Sequence, residues 1–162
     1  MSAFVCRRAV VEDLPAICAL GQVVNALHHD AWPEIFAAPS DPVRDEPHWR
    51  ASLDNPQGAA FVALADEALI GFVTAAYHDE NNPLMQAARI VRVYTLCVDP
   101  GWRRRGVGRA LMGEAERWAG DAGAAEIRLN VWAFNRTARD VYAALGYDER
   151  SFLLGKRLVR DA

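Results

Sequence analysis

The chain has 162 residues, of which 52% are hydrophobic and 24% charged, with a formal net charge of −3. That length suits one domain with a single core, taken here as residues 1–162, and no apolar run approaches the ~18 residues that span a bilayer. Cys6, Cys18 and Cys97 are odd in number and lack metal-ligand spacing, so no metal is expected and a reducing, cytoplasmic setting is. The start, Met1-Ser2-Ala3-Phe4-Val5-Cys6-Arg7-Arg8, lacks the basic-then-apolar order of a secretion signal.

In chain order, Ala3 to Ala9 reads as a first strand. Leu14, Ile17, Cys18, Gly21, Val24 and Leu27 follow helical spacing, with Pro15 tolerated in the first turn. Pro33 to Pro47 reads as a loop or broken helix, and His48 to Leu53 as a short helix. Ala60–Ala65 and Leu69–Tyr77 form a hairpin across Asp66-Glu67, followed by a polar loop from His78 to Gln86. Arg89 to Val98 is a long strand. Val107, Ala110, Leu111, Ala115, Trp118 and Ala122 share a helical face that Gly123 ends. A strand over Ile127–Trp132, a helix over Asn135–Leu145 stopped by Gly146, and a final strand near Phe152–Leu158 complete the chain.

Charge is uneven along this order. Residues 1–99 hold six basic and thirteen acidic side chains, residues 100–162 twelve and eight. The basic half suits a phosphate-bearing ligand and the acidic half a cationic one. No separate basic cluster is left over for nucleic acid.

The chemistry concentrates after the long strand. Asp99-Pro100-Gly101 turns the chain, and Arg103-Arg104-Arg105-Gly106-Val107-Gly108-Arg109 leads into a helix. Backbone N–H groups at a helix start carry partial positive charge, and glycines let a phosphate come close. The pattern lacks both the third Rossmann glycine, where Leu111 stands, and the Lys-Ser/Thr of a P-loop. What fits is Arg-x-x-Gly-x-Gly, Arg103 to Gly108, behind Leu-x-Val-x-Pro. A second stretch, Asn135-x-x-Ala138-x-x-x-Tyr142-x-x-x-Gly146-Tyr147, lies downstream. Together these resemble the acyl-CoA signature and the site-closing segment of the GNAT superfamily of N-acyltransferases. Asn135-Arg136-Thr137 formally matches a glycosylation sequon, but reads better as a helix cap.

The resemblance implies an α/β (α+β) fold of order β-α-α-β-β-β-α-β-α-β, with a mixed, mostly antiparallel central sheet flanked by helices. It implies acetyl-CoA as cosubstrate, held along Leu96, Cys97, Val98, Arg103, Arg104, Arg105, Gly106, Val107, Gly108, Arg109, Asn135 and Tyr142. A main-chain N–H on the Leu96–Val98 strand is expected to bind the oxyanion, and Tyr142 to protonate the leaving thiolate. Cys97 reads as a core cysteine rather than a nucleophile.

Relatives often carry an acid on the strand before the signature, where this chain has Tyr94. The base is therefore open among Asp79, Glu80, Glu34, His28 and a water chain, with Asp79 preferred. His28, Trp32, Phe36, Tyr94 and Trp132 are expected to line the acceptor pocket, an aromatic surround suited to an amine. The expected reaction is acetyl transfer to the primary amine of a small molecule. A peptide or protein N-terminus and a non-catalytic acyl-CoA-binding domain are the alternatives, and homodimers are common in the resembled superfamily.

Overall fold

In the computed structural model, which describes residues 3–158, nine main elements follow one another. They are β1 (Val5–Arg8), α1 (Leu14–Ala31), α2 (Pro42–Asp54), β2 (Gly58–Ala65), β3 (Ala68–Glu80), β4 (Ala88–Val98), α3 (Val107–Asp121), β5 (Glu126–Leu129) and α4 (Arg136–Ala144). The chain forms two compact units, Met1–Asn130 with the sheet and α1–α3, and Val131–Ala162 with α4. None of the described helices is long and apolar enough to cross a membrane.

The sheet order is β1-β2-β3-β4-β5, antiparallel throughout except for the parallel β4–β5 pair. Asp66 and Glu67, at φ 46° and 69°, make the two-residue turn between β2 and β3, the backbone hand that matches strand twist.

Side chains alternate across a strand, which assigns the faces. Val62, Phe72 and Cys97 pack with Leu14, Ile17 and Trp49, so α1 and α2 cover one face. Gly71, next to Phe72, faces the other way. A Cβ there would sit 3.0 Å from the Cys97 carbonyl oxygen and 3.0 Å from Leu111 Cδ1. Its bare Cα lets α3 lie close on the sheet. That helix buries Val107, Leu111, Met112, Ala115 and Ala119, the stripe its 3.6-residue spacing predicts.

Four expectations need correction. Helix α2 starts at Pro42, because Asp41 Oδ1 accepts the Val43 N–H at 2.9 Å and Pro42 suits a first turn; the Pro47 inside it forgoes one helical bond. Residues His78–Glu80 continue β3, since they pair with Ala88–Ile90. Strand β5 stops at Leu129, short of Trp132. The final strand over Phe152–Leu158 is absent. Those residues have no regular structure, and Phe152, Leu153, Leu154 and Leu158 are 77–90% exposed. An apolar pattern makes a strand only where an edge accepts its hydrogen bonds, and no described strand pairs with this segment.

Within the second unit, Asn135 Oδ1 accepts the Ala138 N–H at 3.1 Å and so caps α4. Gly146, at φ 91°, ends it.

Candidate active site

The turn after β4 is built from its own side chain and backbone. Asp99 Oδ1 accepts the Gly101 N–H at 2.8 Å, while the Asp99 N–H donates to the Ile70 carbonyl at 2.8 Å. Arg104 and Gly106, at φ 60° and 83°, both take the left-handed conformation, which swings the chain straight into α3. The first internal bond of that helix runs from Ala110 N–H to the Gly106 carbonyl at 2.9 Å. The N–H groups of Val107, Gly108 and Arg109 thus have no helical acceptor, and the first turn carries no acid. A Cβ at Gly108 would touch only Val98 and Leu96 side chains, at 3.7 and 3.9 Å. The protein itself has room there, so what the glycine keeps open is an approach from outside. The Arg103–Arg105 side chains are exposed; Arg103 Nε donates to the Val98 carbonyl at 3.3 Å, and the Arg105 guanidinium stands 5.1 Å over the Trp102 ring.

Beside this helix start the sheet parts. Between the pairs Thr74–Thr95 and Ala75–Val93, β4 carries one extra residue, Tyr94, which is a β-bulge. Pairing with β5 begins at Ile90–Glu126 and ends at Val93–Leu129. From Tyr94 to Val98, the β5-side edge of β4 therefore lacks a strand partner among the described residues. Leu96, Cys97 and Val98 lie on this free edge. Cys97 itself is buried, its Sγ donating to the Leu20 carbonyl at 3.5 Å, and burial pushes its thiol up to about 12. It carries no thiolate at neutral pH, in line with a core role.

On the α1–α2 side of the bulge lies a cleft of about 260 Å³, lined by His48 and Ser52 of α2, Asn55 at its end, Thr74 of β3 and Tyr94 of β4. The remaining wall is alanine. Thr74 is 2% exposed and its hydroxyl has no hydrogen-bond partner. Such an orphan costs about 1–3 kcal/mol unless something enters to meet it. A larger hollow of about 380 Å³ opens by β1 and the β2–β3 turn, but it touches neither the bulge nor α2. Its one basic group, Arg7, is held at 2.7 and 2.8 Å by Asp13.

The residues expected from sequence divide between these places. Tyr94 reaches the cleft, 64% exposed. His28 stacks on Phe36 with ring centroids 4.8 Å apart, and His29 Nδ1 lies 2.9 Å from the Phe36 carbonyl oxygen. Burial lowers the His28 pKa. Glu80 accepts the Asn82 N–H at 2.9 Å. Trp132, Asn135 and Tyr142 belong to the second unit. There the half-buried Tyr142 ring meets Tyr147 edge-on at 5.8 Å, and burial raises its phenol pKa.

Asp79 fits its expected role poorly. By alternation from Phe72 and Thr74 it faces the α3 side, away from the cleft. It is bound to Arg89 at 2.8 and 3.2 Å, and that guanidinium holds its carboxyl below the usual range. Arg89 also donates to the Ala122 carbonyl at the end of α3 and stacks 4.2 Å over Tyr77. The pair is a structural clasp. Sequence reading missed His48, Ser52 and Asn55, although their i, i+4, i+7 spacing marks one face of a helix; Thr74 left no such signal.

The Acetyltransferase (GNAT) family model matches residues 24–147, and the chain belongs to that family. The uncharacterized N-acetyltransferase YhfO of Bacillus subtilis is 30% identical over 146 residues, 88% of this chain and 89% of that one. An aminoglycoside N(6')-acetyltransferase type 1 of Salmonella typhimurium is 30% identical over 91 residues, 56% of this chain, and the chain spans only 63% of that relative's length. The structure of AAC(6')-Iy in complex with the bisubstrate analogue CoA-S-monomethyl-acetylneamine superposes with a TM-score of 0.70 at 25% identity, covering 97% of this chain and all of that one.

Proposed function

We propose that the protein transfers an acetyl group from acetyl-CoA to the primary amine of a small molecule, by direct attack while both are bound. The observation that carries this reading is the start of α3, where three unsatisfied N–H groups, no acid and an open Gly108 await a phosphate-bearing ligand. The free edge of β4 beside it supplies main-chain N–H groups for the thioester oxyanion, and such donors contribute most when fixed in advance. Arg103, Arg104, Arg105 and Arg109 add positive charge around the pyrophosphate.

Tyr142 is the proposed acid for the departing thiolate. Support comes from its place in the Asn135–Tyr147 motif and from its raised pKa, which keeps the phenol protonated through the working range. Relatives that act on aminoglycosides favour a small amine over a protein N-terminus. Treating residues 1–162 as one catalytic domain is supported by the family model, whose span runs through both units.

A thiol-release assay tests the reading, with acetyl-CoA against aminoglycosides, polyamines, arylalkylamines, amino acids and short peptides. Release with a small amine supports it. Release with peptides alone moves the acceptor to a polypeptide N-terminus. Acetyl-CoA binding by calorimetry without any release points to an acyl-CoA-binding domain.

A further inference from the structure

The cleft at the bulge contains chemistry that the family motifs do not assign. Its walls hold two titratable side chains, His48 and Tyr94. Of the lining side chains, His48 brings the one ring nitrogen, whose lone pair can accept a proton. Its ring is braced edge-on against Trp49 at 4.7 Å, and Trp49 is 4% exposed within the core, so the imidazole stands on a rigid base.

Two further observations make this a built site. Thr74, whose buried hydroxyl has no hydrogen-bond partner, lines the same cleft. Tyr94, on the opposite wall, is the bulge residue at which β4 parts from β5, so the cleft opens where the acetyl carbon is expected. Of the carboxylates weighed from sequence, Asp79 is bound to Arg89 on the other face, Glu80 accepts the Asn82 N–H, and the exposed Glu34 is not among the residues lining the cleft.

We propose that His48 accepts the proton of the attacking amine and that the Thr74 hydroxyl orients the acceptor beside it. The inference rests on the acetyltransferase reading above. The amine lone pair forms the C–N bond to the acetyl carbon, the C–S bond breaks, and its electron pair leaves on sulfur. The amine proton passes to the His48 imidazole, and the thiolate is protonated by Tyr142 or water. Along α2, the charged neighbours at helical spacing are Arg44 and Asp45, bound to one another at 2.7 Å. Across the cleft, β3 and β4 present Thr74, alanines and Tyr94.

The test uses the full chain with acetyl-CoA and with tobramycin, glucosamine and tryptamine as probe amines. Calorimetry of acetyl-CoA binding reports on the broader reading independently of His48. The H48Q variant is expected to lower kcat about 100-fold or more at pH 7, to bind acetyl-CoA as the wild type does, and to recover as the pH rises and the amine loses its own proton. A structural role for His48 would lower kcat equally at every pH. Such a flat loss, an unchanged kcat, or the pH-dependent loss appearing in H28Q instead would each overturn the proposal. If none of the probes turns over, NMR of ¹³C-histidine-labelled protein with CoA supplies the readout. The His48 signal, assigned by its disappearance in H48Q, should shift on adding a probe amine, and no shift with any of the three also overturns the proposal.

Discussion

The two ends of the proposed reaction are built in different ways. The donor end, from Asp99 to Arg109, is one continuous segment whose working parts are backbone N–H groups, left-handed turns and a glycine. The acceptor end is a cleft assembled from α2, β3 and β4, whose working parts are side chains. A ligand recognised by backbone asks for conformation, so its site tolerates many side chains but few changes of φ or Cβ. Recognition by side chains asks for a particular packing, and the site can be retuned residue by residue.

Four substitutions sharpen or break that contrast. The largest effect is expected from Tyr142→Phe, which should reduce kcat about 100-fold or more while leaving acetyl-CoA affinity within a few-fold. Because burial raises the phenol pKa, the wild-type rate should hold through ordinary alkaline pH and fall only above about pH 10. A stopped assay across that range checks both points, and unchanged turnover removes Tyr142 from the chemistry.

Gly108→Ala tests the donor end. The added Cβ makes only ordinary contacts inside the protein and improves helix propensity by about 1 kcal/mol. We expect acetyl-CoA binding to weaken about tenfold or more while the thermal midpoint holds or rises. Unchanged affinity by calorimetry would mean that the phosphate does not approach this backbone.

Thr74→Val tests the acceptor end with the opposite signature. Removing the hydroxyl should raise acceptor KM about five- to tenfold, equivalent to one hydrogen bond of about 1–1.4 kcal/mol. Acetyl-CoA binding should not change. Stability should stay level or improve, because the orphan hydroxyl is gone.

The smallest effect is expected at Asp13→Asn, near the start of α1. Arg7 holds the Asp13 carboxyl below its ordinary pKa, so the pair stabilises the fold above about pH 4 and loses that contribution as pH falls through the folded value. The variant should lose about 1 kcal/mol at neutral pH, modest because Arg7 is 43% exposed. Its stability should also depend less on acid pH, as urea midpoints from pH 3 to 7 would reveal.

The same contrast explains what was legible in advance. The hairpin at Asp66-Glu67, the α3 stripe, the Asn135 cap and the left-handed Gly106 and Gly146 all follow from neighbours in sequence. Asp79 could not be judged that way. Its distance from the cleft depends on which face α3 covers, and its pairing depends on the β3–β4 register. Phe152–Leu158 had the composition of a strand, yet these residues have no regular structure. His48 and Thr74 are 26 residues apart in the chain and line one cleft only because α2 packs on β3 at that height.

From sequence alone came the family resemblance, the run of elements as far as α4 and the glycine-punctuated start of α3, because each is set by short-range backbone geometry and periodic burial. The tertiary structure alone decided where β4 bulges and parts from β5, which carboxylate is locked in an ion pair, and which histidine and threonine line one cleft. Those depend on strand register and helix docking, in which residues far apart in the chain compete for the same space.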